Sequence, residues 1–280
     1  MALSSPLAFA RRLKARARAS GEPRAVLASD RDVVRFECNL CGTQNVVLPG
    51  ALSREVPSCA QCRSTVLLRA VAHLVVSEVL GVTQPLAALS PRPDIAGIGV
   101  SDDERYAGPL ARVFKYENTH FHTEPRLDIT AVPPARAGRY DFVVASDVFE
   151  HVVPPVARAF RGARALLRRG GVLVFTVPFT LGPDTIEHFP ELHAWRLVDS
   201  PHGWRLHNVT ANGRVQVFDD LVFHGGPGST LEMRVFSQAA LERAFLAAGF
   251  ARLRVAAEGC PRFGIAWPEP FSVPMVAYAG

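Results

Sequence analysis

The sequence predicts an α/β protein, an open and mostly parallel sheet covered by helices, preceded by a small cysteine-bearing segment. Three observations predict it. Phe142-Val143-Val144-Ala145-Ser146 and Val172 to Val177 are short continuous apolar runs, the pattern of parallel strands buried on both faces. Between them Val156, Phe160, Ala163 and Leu167 recur at helical spacing, with Arg158, Arg161, Arg164 and Arg168 away from that stripe. Finally, Ile95 to Val100 delivers Gly97-Ile98-Gly99-Val100-Ser101-Asp102 at one strand end, and the first apolar run breaks into Asp147-Val148-Phe149-Glu150-His151 at another. Polar groups at the carboxyl ends of parallel strands face the crevice where open α/β sheets bind ligands.

Residues 1–30 lack hydrophobic periodicity and read as a basic, disordered tail. Within residues 1–24, Arg11, Arg12, Lys14, Arg16, Arg18 and Arg24 stand against Glu22 alone, an excess equal to the formal +5 charge of the whole chain. A basic tail suits nucleic acid or anionic lipid as well as plain solvation. The segment 31–63 carries Cys38, Cys41, Cys59 and Cys62 as two C-x2-C pairs, a spacing used by tetrahedral four-thiolate zinc sites. Such a closed site leaves no position for a substrate water, so its expected role is structural. A disulfide framework is the competing reading; the lack of a secretory apolar region favours a reducing, cytoplasmic setting. Val33 to Glu37 and Val46 to Leu48 read as partner strands around the first pair. Cys260 stands apart as an ordinary thiol.

A main domain is expected over 64–280. It begins with a mostly buried helix from Ser64 to Leu80 that shows only a narrow polar stripe, Arg69, His73 and Ser77, and stops at Gly81. After the Pro85, Pro91 and Pro93 link come the Ile95 strand and two short apolar runs, Val113 to Tyr116 and Leu127 to Thr130. The helix between the Tyr140 and Val172 strands starts after Pro154-Pro155 and is expected to stop at Gly170-Gly171. Residues 180–235, with Trp195, Trp204 and many turn formers, read as a long insertion and substrate lid. A last helix starts with Ser237 as N-cap and ends at Gly249. Two closing strands, Arg252 to Ala256 and Val273 to Tyr278, are expected to pair antiparallel. No run of about 18 apolar residues is present, so no membrane span is expected.

The order of these features, glycine loop, acid after a second strand, Asp128, Ser146-Asp147 and a Gly170-Gly171 strand, resembles class I S-adenosylmethionine-dependent methyltransferases. Tyr140 to His151 followed by Leu166 to Val174 is most similar to their small-molecule branch, and the likeness covers residues 90 to 180. It implies a Rossmann-like sheet of seven strands and binding of S-adenosylmethionine. Gly97 and Gly99 match the loop that lets the backbone approach the cofactor. Ser101 stands at the third glycine of that loop, and Ile95 where an acid is usual. Glu117 matches the acid that holds the ribose hydroxyls, Asp128 and Ile129 the pair that holds adenine, and Asp147 the position under the methionine moiety.

Methyl transfer to a hydroxyl or an acidic carbon also needs a base, and histidine suits neutral pH. His151 is the candidate, with helix capping or packing as its alternative role. Eight of the nine histidines fall between His120 and His224, which points to a polar pocket. His188 and His193 are five residues apart across a proline, unlike the i, i+4 pair of helical zinc sites. His224-Gly225-Gly226-Pro227-Gly228 resembles an esterase oxyanion loop, but no G-x-S-x-G elbow accompanies it, so a tight turn near the acceptor is expected. The expected acceptor is a small or glycan-linked molecule. Nucleic-acid binding is the alternative; against it, Arg54 and Arg63 are offset by Glu37 and Glu55 in the cysteine segment, and no aromatics alternate with cations there. A nicotinamide dehydrogenase ranks last, since Asp102 occupies the final glycine position of its fingerprint.

Overall fold

The computed structural model describes residues 33–268 and 273–280; the basic tail assigned to residues 1–30 lies outside the described residues. Strands β1 (Val34–Glu37) and β2 (Gln44–Val47) pair antiparallel, as expected around the first C-x2-C turn. Each cysteine turn places a left-handed residue directly after its second cysteine, Gly42 (φ 78°) and Arg63 (φ 59°). Helix α1 (Val66–Leu80) follows, capped by the Thr65 hydroxyl on the Leu68 N–H and closed by Gly81 at φ 69°. Arg69, expected on a polar stripe, is wholly buried. Its guanidinium donates to the carbonyls of Ser64, Phe263 and Gly264 and lies over the Phe36 ring.

The main sheet is built from β3 (Arg92–Val100), α2 (Glu104–Val113), β4 (Phe114–Thr119), β5 (Tyr140–Ser146), α3 (Ala157–Leu166) and β6 (Leu167–Thr176). The insertion then contributes short strands β7 (Phe179–Thr180) and β8 (Ile186–Glu187), an antiparallel trio β9 (Ala194–Val198), β10 (Arg205–Val209) and β11 (Val215–Phe218), the pair β12 (Phe223–His224) and β13 (Thr230–Leu231), and β14 (Arg234–Ser237). It has a small core of its own, with Phe189, Leu206, Leu231 and Met233. Helix α4 (Gln238–Ala247), N-capped by Ser237, leads to β15 (Arg252–Val255) and β16 (Met275–Tyr278). The sheet order is β15-β16-β6-β5-β3-β4, with β15 and β16 antiparallel as expected and the remaining four strands mutually parallel.

Period-2 alternation divides the core. Phe142 and Val172 point toward α1 and α2, whereas Ile98, Val143, Leu173 and Ala277 point toward α3 and α4. Gly97 lies inside β3, where an added Cβ would overlap the Phe142 ring, so its bareness makes room for that side chain.

Two expectations need correction. The sheet has six strands among the described residues, because Leu127 to Thr130 turns instead of pairing. The Asp128 Oδ1 accepts both the N–H and the O–H of Thr130, an Asx-type bond that competes with a ladder. Helix α3 stops at Leu166 instead of Gly170: Leu167 already pairs with Tyr140, and Gly170, at φ 75°, lies in a register shift inside β6.

The Ile129 carbonyl lies against Gly162 of α3, where a Cβ would overlap its oxygen, while Gly108 of α2 faces open space. Gly162→Ala is therefore expected to destabilise by about 1–3 kcal/mol through overpacking. Gly108→Ala meets no distant neighbour, but its Cβ would stand against the ring of Pro109 in the helix, so the usual gain of about 1 kcal/mol over glycine is not expected there. Urea unfolding of Gly162→Ala against the parent checks the loss.

Candidate functional site at the carboxyl edge of the sheet

The register sets the ends of β3, β5 and β6 side by side, with Gly99 beside Val144 and Ser146 beside Thr176. At the first two ends the chain leaves the sheet through non-glycine residues in the left-handed region, Ser101 at φ 60° and Asp147 at φ 53°. Each such residue costs roughly 1 kcal/mol or more, and strain of this kind concentrates at functional sites. Ser101 thus holds the backbone geometry that glycine would adopt at the position where the sequence departs from the glycine loop. Its N–H donates to the Thr119 carbonyl, and Asn118 brackets Asp102 by accepting its N–H and donating to its carbonyl.

Asp102 is buried and accepts from the hydroxyls of Tyr106 and Tyr116. A Cβ at Gly99 would overlap this carboxylate and the Tyr116 hydroxyl. Burial pushes the Asp102 carboxyl up to about 7, against the lowering effect of the two phenols.

The other expected ligands are spread along the same edge. Glu117 lies two residues before the end of β4 and is held by Arg136 through two bonds, 2.5 and 3.2 Å. Asp128 is half-buried in the turn after β4, while Ile129 is buried under α3. Asp147 accepts from Arg54 Nη2 at 2.8 and 3.1 Å and from the Thr176 hydroxyl at 2.9 Å. Burial alone would raise its carboxyl, but the Arg54 charge and the Thr176 bond outweigh that and hold it below the usual carboxylate range. Arg54 comes from the cysteine segment, so that segment reaches into the strand-end crevice. Nothing in the local sequence around Arg54 signals this contact.

Beyond Asp147 lies a second group. His151 Nδ1 is 2.9 Å from the Leu231 carbonyl, and its Nε2 is 2.8 Å from His224 Nδ1. His224 Nε2 is 3.9 Å from Glu232, which also meets His188 Nε2 at 3.2 Å. Glu150 is wholly buried, 3.8 Å from His151 Nε2, with neither carboxylate oxygen bonded by another residue. Burial first, then the charges of Asp147 and Glu232, push its carboxyl well above the ordinary range. The insertion closes over this group: Met233 N–H donates to the Glu150 carbonyl, and Arg234 donates to those of Phe149 and Val152. Of these residues the sequence pointed to His151, and the histidine excess and the His224 glycine turn were the signals for its partner.

The four cysteine thiols converge. Cys38 Sγ is 3.6 Å from Cys62 Sγ, and Cys41 Sγ is 3.7 Å from Cys59 Sγ. A tetrahedron with metal–sulfur bonds of about 2.3 Å has edges of about 3.8 Å, so these two separations are those of a tetrahedral thiolate cluster able to hold a metal ion, while a disulfide needs about 2.05 Å. Asn45 donates to Cys59 Sγ at 3.7 Å, and Ser64 Oγ lies 3.3 Å from Cys38 Sγ.

Residues 80–255 match a family model described as a methyltransferase domain. The comparison with curated proteins gave no match. Similar solved structures include the sugar N-methyltransferase KedS8 from Streptoalloteichus sp, 17% identical, covering 76% of this chain and 87% of that one at TM-score 0.43. The amino pentose methyltransferase CalS10 from Micromonospora echinaspora is 17% identical, covering 76% and 90% at TM-score 0.42. The 1,6-didemethyltoxoflavin-N1-methyltransferase of Burkholderia thailandensis is 15% identical, covering 74% and 75% at TM-score 0.40.

Asp102 also fixes a pH signature. With its folded value raised from 3.8 to about 7, the folded chain retains a proton that the unfolded chain releases between those limits. Stability should therefore fall as pH rises from about 4 to about 7, by on the order of 4 kcal/mol from this group. Asp102→Asn, which mimics the neutral acid, is expected to make that slope shallower in urea unfolding measured on either side of the window, the buried Glu150 carboxyl retaining its own share of the same sign.

Proposed function

Since the chain belongs to the methyltransferase-domain family, we propose that it transfers the sulfonium methyl of S-adenosylmethionine to a small-molecule or glycan-linked acceptor, with zinc held structurally by Cys38, Cys41, Cys59 and Cys62. The observation that carries the reading is the pair of left-handed turns at Ser101 and Asp147 on adjoining strand ends, inside the family match. Bound there, S-adenosylmethionine supplies a methyl group activated for in-line displacement. Ser101 belongs to the turn beneath it, which Gly97 and Gly99 approach from within the end of β3, Asp128 and Ile129 to the adenine side and Asp147 to the methionine side. Glu117 is the ribose candidate; the Arg136 ion pair orients its carboxylate and competes for it.

In-line displacement asks the protein chiefly to align donor and nucleophile and to exclude water. The 180–235 insertion, with its own small core and its bonds to Phe149, Glu150 and Val152, serves as the lid. The acceptor gives up its proton at the His151 group and attacks the methyl carbon with the freed electron pair, as the sulfur–carbon pair returns to sulfur. Both nitrogens of His151 are engaged, so it acts together with His224 and the buried carboxylates. Arg54 turns inward to Asp147 instead of presenting charge to a polyanion, which favours a small acceptor over nucleic acid.

Titration calorimetry on the full chain is expected to show micromolar binding of S-adenosylmethionine or its demethylated product, weakened by Asp128→Ala and by Gly99→Trp. No heat from either ligand would overturn the assignment. His151→Ala should leave that affinity unchanged and lower kcat by about 10²–10⁴-fold. Structural zinc in peptides contributes on the order of 10–16 kcal/mol. Chelation should therefore loosen residues 33–63 first, seen as faster hydrogen exchange there, and weaken cofactor binding in parallel with Arg54→Ala.

A further inference from the structure

From the convergence of Glu150, His151 and His224 we infer a second metal site, one for a divalent transition cation, distinct from the four-cysteine cluster. The inference rests on the methyltransferase reading only for its purpose, which is to lower the pKa of an acceptor hydroxyl placed beside the methyl donor. The donor atoms, one from each residue, all lie within 4.8 Å of one another. An ion with bonds of about 2.1 Å wants neighbouring ligands about 3.0–3.4 Å apart. The observed separations, 2.8 Å between His151 Nε2 and His224 Nδ1 and 3.8 Å between His151 Nε2 and Glu150 Oε1, bracket that value. The two imidazole planes cross at 72°, so both nitrogens can address one point from different directions.

The surroundings also fit. A metal-bound imidazole normally has its other nitrogen fixed by a carbonyl or carboxylate. His151 has Nδ1 on the Leu231 carbonyl, and His224 has Nε2 facing Glu232, which is steadied in turn by His188. Glu150 supplies an independent sign: a wholly buried carboxylate, aimed at this point, that no other residue bonds. An unpaired buried carboxylate is costly unless a cation or a proton joins it. Two imidazoles and one carboxylate leave coordination positions open, the arrangement of catalytic sites and not of closed structural ones. With the ion held, the ring nitrogens of His151 are taken, so an acceptor oxygen bound to the ion gives its proton to solvent instead of to the histidine group, and the resulting alkoxide forms the O–CH3 bond as the S–CH3 bond breaks.

The test is zinc content of the full-length protein, stripped of metal, reloaded with Zn2+ alone and desalted. Wild type should hold one equivalent more than His224→Ala, a half-exposed position whose truncation leaves the core intact, and one more than Glu150→Gln. Cys41→Ser should lose metal independently of both. Equal zinc content in wild type and His224→Ala would overturn the proposal, as would an extra equivalent that persists in the His151→Ala, His224→Ala double variant. S-adenosylmethionine binding, measured by calorimetry on the same samples, separates the two readings. Heat of binding without a zinc difference overturns only the second metal. A zinc difference without heat overturns only the methyltransferase reading.

Discussion

A single buried guanidinium fixes how the parts of this chain meet. Arg69 cannot shed its proton, so a full positive charge stays in the interior and must be satisfied there. It is met by the carbonyl and hydroxyl of Ser64, the carbonyls of Phe263 and Gly264, and the face of Phe36. Those partners belong to the second cysteine turn, to the loop between β15 and β16, and to β1. The cysteine segment is thereby held against both the sheet-covering helix and the last strands. The reach of Arg54 to Asp147 follows from that docking. What looks in sequence like a detachable metal-binding appendage is part of the crevice wall.

The crevice itself comes from a common property of parallel sheets, strand ends whose polar groups converge, together with a local departure at each end. Ser101 and Asp147 adopt a geometry that glycine holds more cheaply, and each keeps a side chain where glycine would have none. The Asp102 carboxyl behind them fills the space that Gly99 leaves and stitches α2 to β4 through two phenols. Strand-end turns, the inward arginine and residues of the 180–235 segment then bring carboxylates and imidazoles together, and Coulombic effects between such buried groups are stronger than in water.

Much of this was legible from residue pattern. Unbroken apolar runs identified β5 and β6, the Val156 stripe identified α3, and Ser237 marked the start of α4, since each signal is local and each element is buried as its pattern demands. The convergence of the four thiols was readable because C-x2-C spacing is itself a geometric instruction. Less was readable where a residue serves a distant partner. Arg69 occupies the polar position of a helix yet lies in the core, because its partners are Phe263 and Gly264, far along the chain. The run at Leu127 has strand composition, but Asp128 diverts its backbone. For the site, His151 and Asp147 were visible as strand-end polar residues. Glu150 stood in the same run, though its burial did not show; Glu232 and Arg54 were not visible, because only the packing of residues 180–235 and the docking of the cysteine segment bring them near. Gly97 and Gly99 were noticed as a loop motif, and their immediate neighbours turn out to be the Phe142 ring, Tyr116 and Asp102.

The position of β16 affects how the molecule assembles. It lies between β15 and β6, pairing Tyr278 with Val172 and Met275 with Phe175, so β6 gains its outer neighbour only after the entire insertion and α4 have been made. Until then β6 is an open edge with unpaired amides and apolar faces, a template for pairing with other chains. Closing a contact across so long a stretch is entropically slow. Folding of this protein should accordingly be limited by that late zipper, and changes that delay it, even ones far from the crevice, should reveal themselves as lost yield of soluble chain before any loss of catalysis in the molecules that do fold.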